Sequence, residues 1–208
     1  MKQRINMVGG GFQHDVCSSS GSIPEYVEWV KGVHDAPISI HIDYGVMNEK
    51  TNPDKKNYAW LSESKTINGS LYDWCVNNID YLENNFELIF THDESLSILS
   101  DKIKMVVCSS KPWVKDCGIH KKSKMLSMIA SSKVMCPDHN YRQEIIKRYN
   151  GRMDHFGRGF KQLDIKEDGL RDYYFSIAME NGTYPMMWSE KISDCFAMGT
   201  IPIYYGTD

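Results

Sequence analysis

The chain has 208 residues, with 24 basic and 27 acidic side chains and a formal net charge of −3. The two signs are mixed along the chain, which excludes the broad basic face typical of a nucleic-acid-binding protein. A chain of this length can bury a substantial core in one or two domains. The amino-terminal residues lack the apolar core of a signal peptide, and no stretch is long enough to cross a bilayer. We therefore predict a cytoplasmic protein without a membrane span.

The spacing of the cysteines indicates neither a metal site nor a redox motif. No two of them form a CxxC pair, and their separations do not fit a zinc site. We therefore predict reduced thiols, as expected in the cytoplasm. The six cysteines are Cys17, Cys75, Cys108, Cys117, Cys136 and Cys195.

The first half of the chain predicts strands that alternate with helices. Strands are predicted over residues 5–8, 37–43, 86–93 and 104–110, and helices over residues 22–33 and 71–85. Such alternation favours parallel pairing in a layered α/β sheet. The triple glycine at residues 9–11 does not fit the GxGxxG pattern of a dinucleotide site, so it predicts a tight turn after the first strand.

The next segment predicts a strand, a serine-rich loop and a helix. The strand and loop cover residues 121–133, and the helix covers residues 137–150. Residues 153–160 predict a short strand with two glycines suited to close backbone approach. The buried stripe predicted for the helix has a spacing of four residues and consists of Tyr141, Ile145 and Tyr149.

Residues 173–206 predict a strand–loop–helix–strand unit. Ser189 is a good N-cap residue for the helix, and Gly199 is placed to end it. The helix residues with the i, i+3, i+4 spacing of a buried face are Ile192, Cys195 and Phe196.

Lys191 lies in the first turn of this predicted helix, beside Glu190. A cation there is unfavourable by roughly 0.3–1 kcal/mol because the helix dipole already presents its positive end. Two interpretations follow. Glu190 and Lys191 form a solvated pair, or Lys191 and the free backbone N–H groups hold a diphosphate while Glu190 faces sugar hydroxyls.

The segment ENGTYPMMWSEKISDCFAMGTIPIYYG, residues 180–206, resembles the donor-binding motif of the α1,3-fucosyltransferases, glycosyltransferase family ten. That family shows Glu-Asn after an apolar strand, a loop leading to Thr/Ser-Glu-Lys, a helix, and a Pro-containing strand ending in Gly. Met187 stands where the family usually has Tyr. The residues that match in order and spacing are Glu180, Asn181, Ser189, Glu190, Lys191, Pro202 and Gly206.

The resemblance implies that Glu180, Asn181, Ser189, Glu190 and Lys191 bind a nucleotide-sugar donor. It further implies that Arg142 contacts the donor diphosphate, because the family has such an arginine after a strand and a serine-rich loop. A guanidinium suits this role because its planar fork bonds two phosphate oxygens at once. The alternative for Arg142 is an exposed helix residue with a local carboxylate partner.

Residues 58–67 (YAWLSESKTI) are similar to a Trp-x-x-Glu-Ser segment of the fucosyltransferase-like proteins, and this similarity implies that Glu63 is the general base. An acceptor hydroxyl needs such a group because it is a poor nucleophile until a carboxylate takes its proton. The alternative, that Glu63 is one surface acid among many, stays open.

We interpret His92 and Asp93, which end a predicted strand, as structural or acceptor-lining. His14 is a further acceptor-side candidate of the same kind.

The resemblance implies a GT-B-like α/β fold with two Rossmann-like, parallel-sheet halves facing a cleft. Residues 1–115 would form an acceptor-side domain, and residues 116–208 a donor domain that is C-terminally truncated relative to the family, as in a soluble phage or bacterial-type member. The implied activity is an inverting glycosyltransferase that moves fucose from GDP-fucose to a glycan hydroxyl. No Asp-x-Asp motif is placed to hold a metal, so no obligate cofactor is expected. The alternative is a fragment that binds a nucleotide sugar or glycan without turnover.

Overall fold

The computed structural model describes residues 2–9, 23–32 and 35–207. The chain divides into two compact units, Met1–Cys108 and Ser109–Asp208. Within the described residues, none of the helices combines the length and the apolar character that crossing a bilayer requires.

The amino-terminal unit is built on six parallel strands with short helices between them. The strands are β1 (Gln3–Val8), β2 (Val27–Lys31), β3 (Ile38–Ile42), β4 (Lys56–Trp60), β5 (Leu88–Thr91) and β6 (Ile103–Met105), followed by the two-residue strand β7 (Cys108–Ser109). The helices are α1 (Gly45–Asn48), α2 (Gly69–Asn77), α3 (Ile79–Asn85) and α4 (Glu94–Ser97). The sheet order is β2-β1-β3-β4-β5-β6, and every pair is parallel. The predicted parallel α/β sheet is therefore confirmed.

Two predictions for this unit are wrong in detail. Residues 22–33 were expected to be helical, but Val27–Lys31 is a strand that pairs with β1, with Trp29 opposite Ile5. Its β-branched and aromatic residues suit a strand once a partner edge is present. Residues 71–85 form two helices because the backbone leaves helical geometry at Asn78 (φ −131°, ψ 39°).

The carboxy-terminal unit has a four-stranded parallel sheet. Its strands are β8 (Lys124–Ile129), β9 (Asp154–Phe156), β10 (Tyr173–Met179) and β12 (Ile201–Tyr205), with the two-residue strand β11 (Met187–Trp188) outside this sheet. Its helices are α5 (Pro137–Arg148) and α6 (Glu190–Ala197), and a 3-10 turn covers Lys166–Gly169. The sheet order is β12-β10-β8-β9. The predicted strand–loop–helix–strand unit over residues 173–206 is thus confirmed as β10, α6 and β12.

Two glycine positions predicted from the sequence have clear structural reasons. Gly199 follows α6 with a φ of 61°, a left-handed conformation that commonly ends a helix. Gly157 follows β9 with a φ of 123°, and a Cβ there would overlap the carbonyl oxygen of Ala130. The close backbone approach expected for this turn is therefore confirmed.

The buried faces of both helices differ from the predicted ones. On α5, Tyr141 is 46% exposed, whereas Arg142 is only 4% exposed. On α6, Phe196 is 65% exposed and Asp194 is fully buried, although Cys195 lies in the core as expected. Both differences have one cause, because polar side chains of these helices turn inward to partners on other elements. Tyr149 is exposed, Ile145 is half-buried, and the buried residues of α5 are His139, Arg142 and Ile146.

Candidate functional site

The residues of the predicted donor motif meet at the carboxyl end of β10. Glu180 and Asn181 directly follow this strand, and α6 begins nine residues later at Glu190. The carboxyl ends of parallel strands are where open α/β sheets bind their ligands.

Glu180 joins the end of β10 to the start of α6. Its buried carboxylate accepts the backbone N–H of Ser189 at 2.8 Å through Oε1. Its Oε2 accepts the Ser189 hydroxyl at 2.6 Å and contacts Lys191 Nζ at 3.2 Å. Lys191, in the first turn of α6, therefore pairs with the carboxylate of Glu180, which directly follows β10.

Ser189 is the N-cap of α6, as predicted. Its hydroxyl oxygen accepts the backbone N–H of Lys191 at 3.4 Å and the Nζ of the same lysine at 2.8 Å. Gly206 closes the other side of this cluster, since a Cβ at that position would lie 2.6 Å from Cγ of Glu180. The motif residues thus pack against one another in the fold.

Glu190 points to a different partner. Its Oε1 lies 3.2 Å from Nζ of Lys166, which comes from the 3-10 turn. Burial would raise the pKa of the Glu190 carboxyl, but the charges of Lys191 and Lys166 outweigh it and hold that pKa below its usual value. Glu190 is therefore an ionised carboxylate at the start of α6.

Lys166 also binds a buried aspartate that the sequence-based interpretation missed. Its Nζ lies 2.5 Å from Oδ2 of Asp194 and 4.9 Å from the centre of the Trp113 ring. Oδ1 of Asp194 accepts the backbone N–H groups of Trp113 at 2.6 Å and Val114 at 3.2 Å. Asp194 lies four residues, or about one helical turn, after Glu190. This spacing is the only signal in the sequence that the two carboxylates lie on the same side of α6 and could share Lys166.

Arg142 approaches the same strand end from α5. Its Nη2 donates to the carbonyl oxygens of Met179 at 3.0 Å and Glu180 at 3.2 Å, and to Oδ1 of Asn181 at 3.1 Å. The exposed-arginine alternative is therefore wrong. Its other nitrogens make no hydrogen bond to the residues that the structure describes.

His139 is a second residue of this site that sequence-based reasoning missed. It is 3% exposed, and its ring lies between the backbone N–H of Met135 and Asn181. Its position three residues before Arg142 places it on the same face of α5, which is the signal that could have identified it.

The acceptor-side candidates belong to the amino-terminal unit. Glu63 lies in the loop after β4, and its Oε1 accepts the backbone N–H of Ser64 at 2.9 Å. Asp43, after β3, accepts the N–H of Ser62 at 2.8 Å and of Glu63 at 3.0 Å through Oδ1. Asp43 has a φ of 48°, a left-handed backbone that is uncommon for a non-glycine residue. This buried carboxylate therefore shapes the loop that carries Glu63.

His92 and Asp93 follow β5, the neighbour of β4, and both are buried. Asp93 is the N-cap of α4 and accepts the backbone N–H of Leu96 at 3.0 Å. Burial lowers the pKa of His92. Asp93 thus has a structural role as the cap of α4. The remaining acceptor-side candidate, His14, lies outside the described residues.

Comparison with known proteins shows similarity at the level of the fold. No protein-family profile matches the sequence, and no curated protein matches it. The chain is similar to an α1,3-fucosyltransferase solved with GDP-fucose, with a TM-score of 0.55 and 15% identity over 99% of this chain and 69% of that one. It is also similar to an α1,3-fucosyltransferase structure at TM-score 0.54 and 14% identity, covering 99% of this chain and 68% of that one. A third, solved with GDP, has TM-score 0.53 and 13% identity at the same coverage. The chain thus has the α/β fold of α1,3-fucosyltransferases.

Proposed function

We propose that this protein is an inverting glycosyltransferase that transfers fucose from GDP-fucose to a hydroxyl of a glycan. The observation that carries the proposal is the fold, which the chain shares with α1,3-fucosyltransferases solved with GDP-fucose and with GDP. The packing of Glu180, Ser189 and Lys191 at one strand end supports it. We assign the donor to residues 116–208 and the acceptor to residues 1–115.

The donor diphosphate would bind at the start of α6. The first N–H groups of a helix lack intrahelical partners and attract anions. Lys191 adds a cation there, and the guanidinium of Arg142 retains donors that could bond phosphate oxygens. Glu190 and Asn181 would contact hydroxyls of the donor. Because Lys191 and Arg142 would compensate the negative charge of the departing diphosphate without a metal ion, we expect transfer to continue in the presence of EDTA.

The reaction would be a single in-line displacement. The acceptor oxygen attacks the anomeric carbon of fucose as the bond from that carbon to the phosphate oxygen breaks. Glu63 takes the acceptor proton, and GDP leaves with the bonding electron pair, stabilised by Lys191, Arg142 and the start of α6. His92, Asp93 and His14 are proposed to lie on the acceptor side.

The test is a transfer assay with GDP-fucose and a panel of glycan acceptors, together with GDP binding by calorimetry. We expect Lys191→Ala to lose binding and transfer, and Glu63→Gln to lose transfer while it retains binding. The matched control is Lys121→Ala, an exposed lysine of the same unit as Lys191. Binding without turnover on any acceptor would identify a non-catalytic nucleotide-sugar-binding protein instead. Absence of GDP binding by the unmodified protein would overturn both proposals.

A further inference from the structure

His139 lies at the start of α5, and its two ring nitrogens contact different segments. Nδ1 lies 3.1 Å from the backbone nitrogen of Met135, in the loop that follows β8. Nε2 lies 3.0 Å from Oδ1 of Asn181, directly after β10. The ring is buried, and these are the hydrogen bonds that its two nitrogens make.

The contact with Met135 determines which nitrogen carries the hydrogen. A backbone N–H can only donate, so Nδ1 must accept and cannot carry a hydrogen itself. The ring is then neutral, with its hydrogen on Nε2. That N–H donates to Asn181, which assigns the acceptor atom there as an oxygen.

Arg142 contacts the same side-chain atom of Asn181 and independently identifies it as the amide oxygen. A guanidinium has donors only, and its Nη2 lies 3.1 Å from Oδ1 of Asn181. Two donors on one atom exclude the flipped amide, in which Nδ2 would face two N–H groups. Nδ2 of Asn181 therefore points away from His139 and Arg142, and it makes no hydrogen bond to the described part of the chain.

We propose that His139 is a positioning residue of the donor site, which holds the Asn181 amide so that Nδ2 presents its hydrogens to an oxygen of the nucleotide sugar. This inference rests on the proposed function, because it takes the ligand to be the donor. The atom recognised must be an acceptor, such as a hydroxyl or phosphate oxygen. Asn181 is half-buried, so Nδ2 can reach a ligand.

Protonation of His139 would undo this arrangement. A hydrogen on Nδ1 would meet the Met135 N–H, so the imidazolium could not stay in place. Burial lowers the pKa of His139, and the charges acting on it are cations from three elements: Arg142 on α5, Lys133 in the preceding loop and Lys191 on α6. We therefore expect the orientation of Asn181 to be lost as the solution becomes acidic.

Nitrogen-detected NMR of the free full chain tests the tautomer without any ligand. We expect the Nε2–H tautomer of His139 at neutral pH. An Nδ1–H tautomer or a protonated ring would overturn the inference whatever the protein binds. Addition of GDP-fucose should shift the Asn181 side-chain amide signals, and unshifted signals in a protein that binds GDP-fucose would also overturn it.

Binding of GDP-fucose as a function of pH tests the functional consequence. GDP-fucose is preferred to GDP because a terminal phosphate itself titrates near a pKa of about 6. We expect the affinity of the unmodified protein to fall as the pH drops below the usual histidine pKa of about 6.5, and to be about tenfold weaker once the ring is protonated, as for loss of one hydrogen bond. His139→Gln, which can donate to Asn181 but cannot titrate, should flatten this profile. His139→Leu should bind about tenfold more weakly at every pH.

The matched control is His120→Gln, at a half-buried histidine bonded to the carbonyl of Asp116 in the same unit. It should keep the profile of the unmodified protein. An identical profile in His139→Gln and the unmodified protein would overturn the role of His139. If the Nε2–H tautomer is present but the unmodified protein does not bind GDP-fucose, the proposed function fails and the orientation of Asn181 stands.

Discussion

Nζ of Lys191 lies 3.2 Å from Oε2 of Glu180, so an ion pair links the start of α6 to the end of β10. The glutamate side chain is almost fully buried, whereas the lysine side chain is about a quarter exposed. Ser189 bonds both partners through its hydroxyl. One carboxylate thus compensates the lysine charge and anchors the helix start at which the donor is proposed to bind.

Removal of the Glu180 carboxylate should destabilise the protein strongly. Glu180→Ala leaves Lys191 without its carboxylate partner and Ser189 without two hydrogen bonds. We expect a loss of about 3 kcal/mol in the free energy of unfolding, as for a broken buried ion pair. Urea unfolding measures it, with Glu144→Ala on the exposed face of α5 as the control, expected to change stability by less than about 0.5 kcal/mol. Equal effects of the two variants would contradict this role.

Lys166 should be required for stability through Asp194. Lys166→Met leaves a fully buried carboxylate without its cation, at a cost of about 3 kcal/mol. Adding Asp194→Asn should recover part of this loss, because the amide oxygen can still accept the N–H groups of Trp113 and Val114 without a buried charge. Urea unfolding of the single and double variants measures the coupling. A double variant less stable than Lys166→Met would contradict the ion-pair explanation. The control is Lys121→Met, at an exposed lysine of the same unit, which should change stability little.

Glu190 should contribute stability that is lost in acid. Its folded-state pKa lies below the usual value of 4.5, because Lys191 and Lys166 outweigh the effect of burial. A carboxyl with a lowered pKa stabilises the fold above its unfolded-state pKa, and this contribution disappears as the pH falls through the folded-state pKa. Glu190→Gln should therefore be less stable than the unmodified protein at neutral pH, with a difference that narrows below about pH 4.5. Urea unfolding at several pH values measures this, and a constant difference would contradict it.

Local signals in the sequence were sufficient to predict the unit formed by β10, α6 and β12. Ser189 and Gly199 determine the ends of α6 through short-range hydrogen bonding and backbone geometry. These interactions need no distant partner, so the order of elements follows from neighbouring residues. The prediction of Val27–Lys31 as a helix was wrong because the strand depends on pairing with β1, which periodicity alone does not show.

Burial of polar side chains could not be predicted in the same way. Asp194 and His139 look like solvent-facing helix residues in the sequence, and each is buried because distant groups satisfy it. Asp194 bonds backbone groups about 80 residues away, and His139 bonds Asn181 about 40 residues away. The identities of Glu180, Asn181 and Lys191 were visible in the motif, but their contacts depend on how the elements pack.

The turn after β9 should tolerate no residue larger than glycine at position 157. Gly157 has a φ of 123°, and its Cα faces the carbonyl of Ala130 at the end of β8. Gly157→Ala combines a strained backbone with a steric overlap, so we expect a loss of at least about 2 kcal/mol in stability. Gly69→Ala is the control, because it lies in α2 with open space around its Cα and should be neutral or slightly stabilising. Thermal unfolding compares the two, and a stable Gly157→Ala variant would rule out the close approach.

Asp43 should support transfer without any part in donor binding. It accepts the N–H groups of Ser62 and Glu63, whereas Lys191 and His139 of the proposed donor site belong to the other unit. Asp43→Ala removes these acceptors, so the loop carrying Glu63 should lose its geometry and the transfer rate should fall at least about tenfold. GDP affinity should not change. Asp43→Asn should retain most of the rate, because asparagine keeps the acceptor oxygen and tolerates a left-handed backbone. Transfer kinetics and calorimetry separate the two effects, and full activity in Asp43→Ala would exclude a need for an ordered Glu63 loop.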